Sequence, residues 1–445
     1  MNSKFSKIGF ILAVAGSAVG LGNAWKFPTL VGQSGGSAFI LLYIVLTLGV
    51  GFVIFLAELS IGKISEKDPV NAYEKLAPSN KKAWSYAGFT MIGAILIVSF
   101  YTLVIGWILK YAYLSISGNL YPDLNTSSAE FGKLISSDFV SQFVCFTLIF
   151  LIVFYTVSKG VKNGIEKLNV WMMPALFILL VLMLIYYAMT KDGFMMAVEF
   201  LFVPDFSKIS TSNVLEALGL AFFSLSLGVG TIITYSASLP ERTNFITSTL
   251  NIIFINLLIG LLMGLVVFTF IFEFGFDASK EGPGLIFVSL ATLFQKLGAI
   301  GHILGAAFFI SLIFAGITSA VSMIEPFAFY LINSFGMSRK KALILIGIIV
   351  YTLGILCILS SLDSTAFKIF GLSVFDLLDT LSSKIIMPLG GILAAIFVGF
   401  VIKKEALQIL FGPYMKGIFF ELWYIFLRFI SPLAVIVVMI SAFLK

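Results

Sequence analysis

The chain has 445 residues, of which 60% are hydrophobic and only 11% charged, and its mean hydropathy is +1.08. Apolar runs of about 20 residues recur along the whole length, each long enough to cross a bilayer, so the composition excludes a soluble domain and marks a polytopic membrane protein. The net charge of +6 is not a nucleic-acid signature, because the lysines cluster in short loops between apolar runs, where topology explains them.

The pattern predicts eleven spanning helices, near residues 8–30, 38–62, 85–112, 139–157, 165–188, 213–238, 244–273, 300–333, 341–360, 374–402 and 420–443. Segment 1 is apolar from Gly9 to Val19 and then meets Gly20, Gly22 and Asn23 at mid-depth, within the stretch GSAVGLGNAWKFP. These residues are weak in helix interiors, so the helix is expected to break there. In hydrocarbon, broken backbone is tolerated only where it is buried in protein or lines a water-filled cavity, and its freed N–H and C=O groups become candidate ligand contacts. Close packing of helices on small residues is the alternative. The first run continues into that motif without a small-residue cleavage site, so no removable signal peptide is expected.

The loops after segments 2, 4, 6, 8 and 10, with the N-terminal tail, hold most of the lysines and arginines, which predicts a cytoplasmic N-terminus and, with an odd helix count, an extracellular C-terminus in a multi-pass cell-membrane protein. The longer outer connections, 113–138, 189–212 and 274–299, have room for short surface helices or lids. Cys145 and Cys357 sit inside apolar segments as lipid- or core-facing thiols, not as a disulfide framework. Segment 6 carries a second interruption, FFSLSLGVG at 222–230, five segments after the first. Two interrupted segments in corresponding positions point to an inverted-repeat transporter, with repeats 1–188 and 189–402 and a peripheral helix in 403–445. Half-helix N-termini would face a carboxylate, and unwound carbonyls a hard cation, which suits an amphoteric small solute.

Three stretches in order, GSAVGLGNAWKFP in segment 1, SLSLGVGTIITY in segment 6 and FAGITSAVSMIEP in segment 8, resemble the neurotransmitter:sodium symporter family, especially its bacterial amino-acid transporters, over essentially the whole chain. The resemblance implies a leucine-transporter-like, all-α fold with a 5+5 inverted repeat, sodium-coupled uptake and alternating access about a midplane site. With eleven helices expected, the count resembles that of the shorter bacterial branch, without the twelfth helix of many members.

By motif, the resemblance places one sodium ion at the Ala18 carbonyl, Asn23, Ser224 and Asn256 with the substrate carboxylate, and a second at the carbonyls of Gly16, Val19 and Ala315 with the hydroxyls of Thr318 and Ser319. Oxygen-only ligation suits a hard, non-redox cation. Helix-to-helix hydrogen bonding or back-bonding is the plain alternative for those hydroxyls. The substrate carboxylate is expected at the Leu21 and Gly22 N–H groups and the Tyr101 hydroxyl, within SFYTLVIGW, and its amine near the carbonyls of Ala18, Phe223 and Ser226. Ile97, Tyr101, Phe223, Val229, Ser319 and Met323 would line the side-chain pocket. Val229 stands where the bacterial leucine transporter has Phe, and Met323 repacks readily, so a larger hydrophobic or aromatic L-amino acid is expected.

Phe223 and Tyr101 would close over the substrate, with Lys26 and Asp379 paired outside them. Lys26 replaces the family's Arg and lacks its bidentate fork, so a weaker or water-bridged outer pair is expected. The family's inner Arg and Trp are absent from the tail MNSKFSK, and Asn333 stands for the answering Asp, which leaves the inner closure open. Gly164 and Pro174 reproduce a glycine-nine-proline spacing associated with unwinding of segment 5, an ordinary proline kink being the alternative. Tyr43, Ser224 and Asn256 match positions used by chloride-dependent members, whereas Leu220 and Gly260 do not, so chloride use stays open. Glu58, Glu325 and His302 allow proton coupling but read more simply as structural. The expected function is sodium-coupled import of hydrophobic amino acids; the alternatives are a proton-coupled permease and a channel or non-transporting sensor. No nucleotide loop or nucleophile–base motif suggests an enzyme, and no obligatory protein partner is evident.

Overall fold

A computed structural model describes residues 5–239, 243–275, 283–415 and 417–444. Among these residues the only extended pairing is an isolated bridge between Ile369 and Leu372, and the rest of the regular structure is helical. The first span is bent by 53° between α1 (Lys7–Ala18) and α2 (Gly22–Gln33). Then follow α3 (Ser37–Ser65), α4 (Lys81–Ile116), α5 (Phe139–Ser158) and α6 (Val161–Thr190). Segment 6 comprises α7 (Thr211–Ser224) and α8 (Thr231–Ser236). The chain continues through α9 (Phe245–Glu273), α10 (Gly298–Phe335), α11 (Arg339–Ser361), α12 (Val374–Val401) and α13 (Ile418–Ser441). Among the described residues, length and hydropathy identify nine spans, or ten with the bent pair. The interrupted segment 6 completes the expected eleven, each of its pieces being too short to cross alone.

Local chemistry sets the helix ends. Ser6, Asp138, Asn244 and Ser373 each accept a hydrogen bond from a backbone N–H of the first turn that follows, at α1, α5, α9 and α12. The break in segment 1 is tighter than expected and falls at 19–21. Gly22 and Asn23 already belong to a π-turn, Gly22–Lys26, that the Phe27 N–H closes on the Gly22 carbonyl. The break in segment 6 spans 225–230 and uses positive φ at Ser226 (53°), Gly228 (80°) and Gly230 (75°). The connections expected on the outside carry short helices, at Leu124–Ser136, Gly193–Phe202 and Ile286–Lys296; the stretch 276–282 of the third lies outside the described residues. Both cysteines are free.

Burial orders the bundle. The most apolar window of α4 is 83% buried and that of α13 only 28%, so α4 runs through the centre and α13 lies at the edge. Exposed Leu, Ile, Val and Phe on α5, α6 and α13 form faces that water would not tolerate and lipid would cover. The broken first span is enclosed by other helices: α1 packs against α6, α9 and α10, and α10 against α4. Two titratable residues that the sequence left ambiguous, Glu325 and His302, have partners. Glu325, with a fully buried side chain, receives both terminal nitrogens of Arg339 at 3.0 and 2.5 Å. Replacing Arg339 by Leu is expected to destabilise the protein by about 3–5 kcal/mol, because it strands a buried carboxylate. Thermal unfolding in detergent reads that loss, and adding Glu325→Leu should recover most of it. His302 bonds Gln295 at 3.1 Å near a helix end.

Candidate functional site

The two breaks meet. The end of α1 leaves its last carbonyls without intrahelical donors, the start of α2 leaves N–H groups without acceptors, and the two helix ends carry partial charges of opposite sign into one place. Every residue that the resemblance assigned to the substrate except Leu21 lines one cavity there, together with Ser17, Gly20, Ser224 and Met387. Leu21 lies instead in an adjoining recess with Trp25, Lys26 and Asp379. Its N–H donates to the Tyr101 hydroxyl at 2.7 Å, so two groups expected to share a carboxylate are bonded to each other here. Tyr101 and Phe223 border both spaces and form the partition between them.

Two clusters of oxygen atoms flank the cavity. In the first, the Asn23 amide nitrogen donates to both the carbonyl and the side-chain oxygen of Asn256, each at 2.9 Å. Asn23 Oδ1 is buried without a hydrogen-bond partner among the described residues. Ser224 belongs to the same cluster: its hydroxyl lies 2.8 Å from the Tyr43 hydroxyl, and Asn256 Nδ2 lies 3.3 Å from both oxygens. Of the other chloride positions, Gly260 brings no side chain, and a β-carbon there would stand 3.6 Å from Asn23 Nδ2. In the second cluster, the Ser319 hydroxyl lies 3.0–3.1 Å from the carbonyls of Gly16, Ser17 and Val19. One hydroxyl has one proton, and of the three carbonyls that of Ser17 also accepts the Ser226 hydroxyl at 2.8 Å, so at least one of the Gly16 and Val19 carbonyls is left without a side-chain donor, and a small cation fits that excess of acceptors. Thr318 donates back to the carbonyls of Phe314 and Ala315, at 2.9 and 3.0 Å, which leaves its lone pairs for a cation. Ala18 is the last residue of α1.

The unwound part of segment 6 is held from α3: Glu58 Oε1 accepts the Gly228 N–H at 2.6 Å. Glu58 is thus a contact that fixes the break. A β-carbon at Gly228 would collide with the Met387 carbonyl, so only glycine fits this crossing.

Both ends of the first span are closed, one by the expected Lys26–Asp379 pair and both by further contacts that the sequence did not reveal. Lys26 Nζ stands 4.0 Å from Asp379 Oδ1, a long and partly solvated pair, and it also lies 3.9 Å from the centroid of the Phe223 ring. The weaker outer pair expected from Lys is therefore joined by a cation–π contact on the residue that partitions the cavity. At the opposite end Phe5 is buried against Tyr235, ring centroids 5.3 Å apart, and its N–H reaches the Ser238 carbonyl at 3.3 Å. The Ser6 hydroxyl donates to Glu166 Oε1 at 2.5 Å. Asn333 donates to Asp68 at 3.0 Å. Gly164 lies in a π-turn, Val161–Glu166, that opens α6, and Pro174 lies inside the same helix; the stretch between them is wound in this conformation.

A sequence profile described as the Sodium:neurotransmitter symporter family matches residues 2–127 and 123–445. The chain belongs to that family. It is 37% identical over 442 residues to the uncharacterized sodium-dependent transporter YhdH of Bacillus subtilis, covering 98% of this chain and 96% of that one. It is 34% identical to an uncharacterized sodium-dependent transporter of Haemophilus influenzae, over 98% of this chain and 97% of the other. Among solved structures, that of MhsT in complex with L-phenylalanine superposes with a TM-score of 0.88 at 36% identity, covering 99% of this chain and all of the other. The protein is therefore a multi-pass, sodium-dependent transporter with the leucine-transporter-like fold, and not an enzyme. Met387, Ser17 and Gly20 are the cavity residues that motif reading missed. Gly20 had a signal in the glycine run itself, whereas Met387 had none.

Proposed function

We propose that this symporter imports hydrophobic or aromatic L-amino acids with sodium across the cell membrane by alternating access. The observation that carries the reading is the cavity itself, which is apolar along Ile97, Val229, Met323 and Met387 and has helix ends of opposite polarity at its polar margin. The carboxylate is held by the Gly22 N–H and by the Tyr101 hydroxyl, which donates to the substrate while accepting the Leu21 N–H; Leu21 thus acts on the carboxylate through Tyr101. The amine is held by carbonyls near Ala18, Phe223 and Ser226.

Two sodium ions occupy the two oxygen clusters, one at Ala18, Asn23, Ser224 and Asn256, the other at Gly16, Val19, Ala315, Thr318 and Ser319. Bound sodium supplies the positive charge that offsets the converging carbonyls and the substrate carboxylate. Residues 1–188 and 189–402 act as inverted repeats, with 403–445 peripheral, and the N-terminus is cytoplasmic. Phe223, Tyr101, Lys26 and Asp379 then form the outer closure, and Phe5, Ser6 and Glu166 the inner one.

Uptake of labelled Phe, Tyr, Trp and Leu into proteoliposomes tests the reading. Accumulation should occur under an inward sodium gradient and vanish when choline replaces sodium. Equal accumulation in choline under a pH gradient would move the reading to proton coupling, and binding without accumulation to a sensor. Val229→Phe, which puts a ring into the cavity, is expected to lower Trp and Phe uptake relative to Leu by about 10- to 100-fold, the range of about 1–3 kcal/mol set by overpacking a closed pocket. Competition uptake would read the change, and an unaltered substrate ranking would remove Val229 from the pocket.

A further inference from the structure

The second oxygen cluster has a neighbour that no motif marks. Asn169 on α6 stands between Gly164 and Pro174 and is fully buried. Its amide nitrogen donates to the Ile165 carbonyl at 2.8 Å, and its Oδ1 has no hydrogen-bond partner among the described residues. That oxygen is pressed against the glycine of the cluster. A β-carbon built on Gly16 would fall on Asn169 Oδ1 and would stand 3.1 Å from Thr318 Cβ. The amide oxygen, the backbone of Gly16 and the side chain of Thr318 therefore meet where α1, α6 and α10 come together. The orientation is set by chemistry, because exchanging the amide nitrogen and oxygen would turn two acceptors, Oδ1 and the Ile165 carbonyl, toward each other. An unpartnered amide oxygen in an apolar interior is unfavourable, and Asn is a weak helix former, so neither packing nor propensity accounts for this side chain.

We propose that Asn169 Oδ1 is a further ligand of the second sodium ion, contributed by α6 from the side facing Gly16 and Thr318. The proposal rests on reading Gly16, Val19, Ala315, Thr318 and Ser319 as a sodium site. The Ile165 carbonyl that orients the amide belongs to the π-turn Val161–Glu166, so the geometry of that turn fixes where Oδ1 stands.

Equilibrium binding of radioactive sodium to the purified, detergent-solubilised protein tests both levels, with melting in choline as the check on folding. Thr318→Ala should remove binding of one ion; unchanged sodium binding there would overturn the underlying site reading. Asn169→Leu, similar in size but without an oxygen, is expected to lower sodium affinity about tenfold and to speed sodium dissociation, with melting in choline near that of the parent. Parental affinity in a folded Asn169→Leu protein, alongside a responsive Thr318→Ala, would overturn the role of Asn169 while leaving the site intact. If Asn169→Leu does not fold, Asn169→Asp decides. A charged oxygen beside the ion should raise sodium affinity several-fold and change the preference for sodium over lithium, whereas an amide that only packs would change neither.

Discussion

Replacing Asn23 by alanine is expected to abolish sodium-stimulated substrate binding at ordinary sodium concentrations. The Asn23 amide nitrogen is held by the Asn256 carbonyl and side chain, so its Oδ1 is fixed in place, buried and without a partner among the described residues. Such an oxygen suits the first sodium ion proposed above. Contacts of this kind to a charged group contribute about 1.5–3 kcal/mol, which corresponds to about 10- to 150-fold in sodium affinity. Sodium titration of labelled phenylalanine binding to purified protein measures the shift. Asn23→Asp, which keeps the oxygen, should retain sodium dependence. A parental sodium midpoint in Asn23→Ala would sink the assignment of the first ion.

Glu58→Ala should be nearly as damaging, although Glu58 touches neither proposed ion. Its carboxylate is the acceptor for the Gly228 N–H, in a stretch where Ser226, Gly228 and Gly230 all have positive φ and no helical ladder supports the backbone. Removing it leaves a buried donor unsatisfied, at a cost of about 2–3 kcal/mol, and lets the break relax toward other conformations. Uptake is expected to fall about 10- to 100-fold, with an earlier thermal transition in detergent. Glu58→Gln keeps an acceptor of the same length and should remain close to the parent. If Ala and Gln variants behave alike, the break is supported by its packing on α12 and not by this hydrogen bond.

The two predictions differ in how visible their residues were from sequence. Asn23 lies inside a motif whose glycines already announce an interrupted helix, so its place near the site could be read locally. Glu58 could be recognised as an acid within an apolar segment, but its partner is 170 residues away. The Lys26 contact with Phe223 and the Ser6 bond to Glu166 belong to the same class, since each joins residues that share no pattern along the chain. The missing Arg and Trp of the tail left open how that end of the first span is closed. Phe5 and Ser6 occupy that end with different chemistry, packing on Tyr235 and bonding to Glu166.

The sequence alone determined the membrane class, the approximate spans, the two interrupted helices and the family, because hydropathy, helix propensity and motif order are properties of neighbouring residues. Only the tertiary structure decided which oxygens converge. Ser319 meets three carbonyls of α1 across some 300 residues, and Asn169 turns an unpartnered oxygen toward Gly16. The register of one helix against another, and whether a buried polar atom finds a partner, follow from close packing of the whole bundle, which no local stretch of sequence encodes.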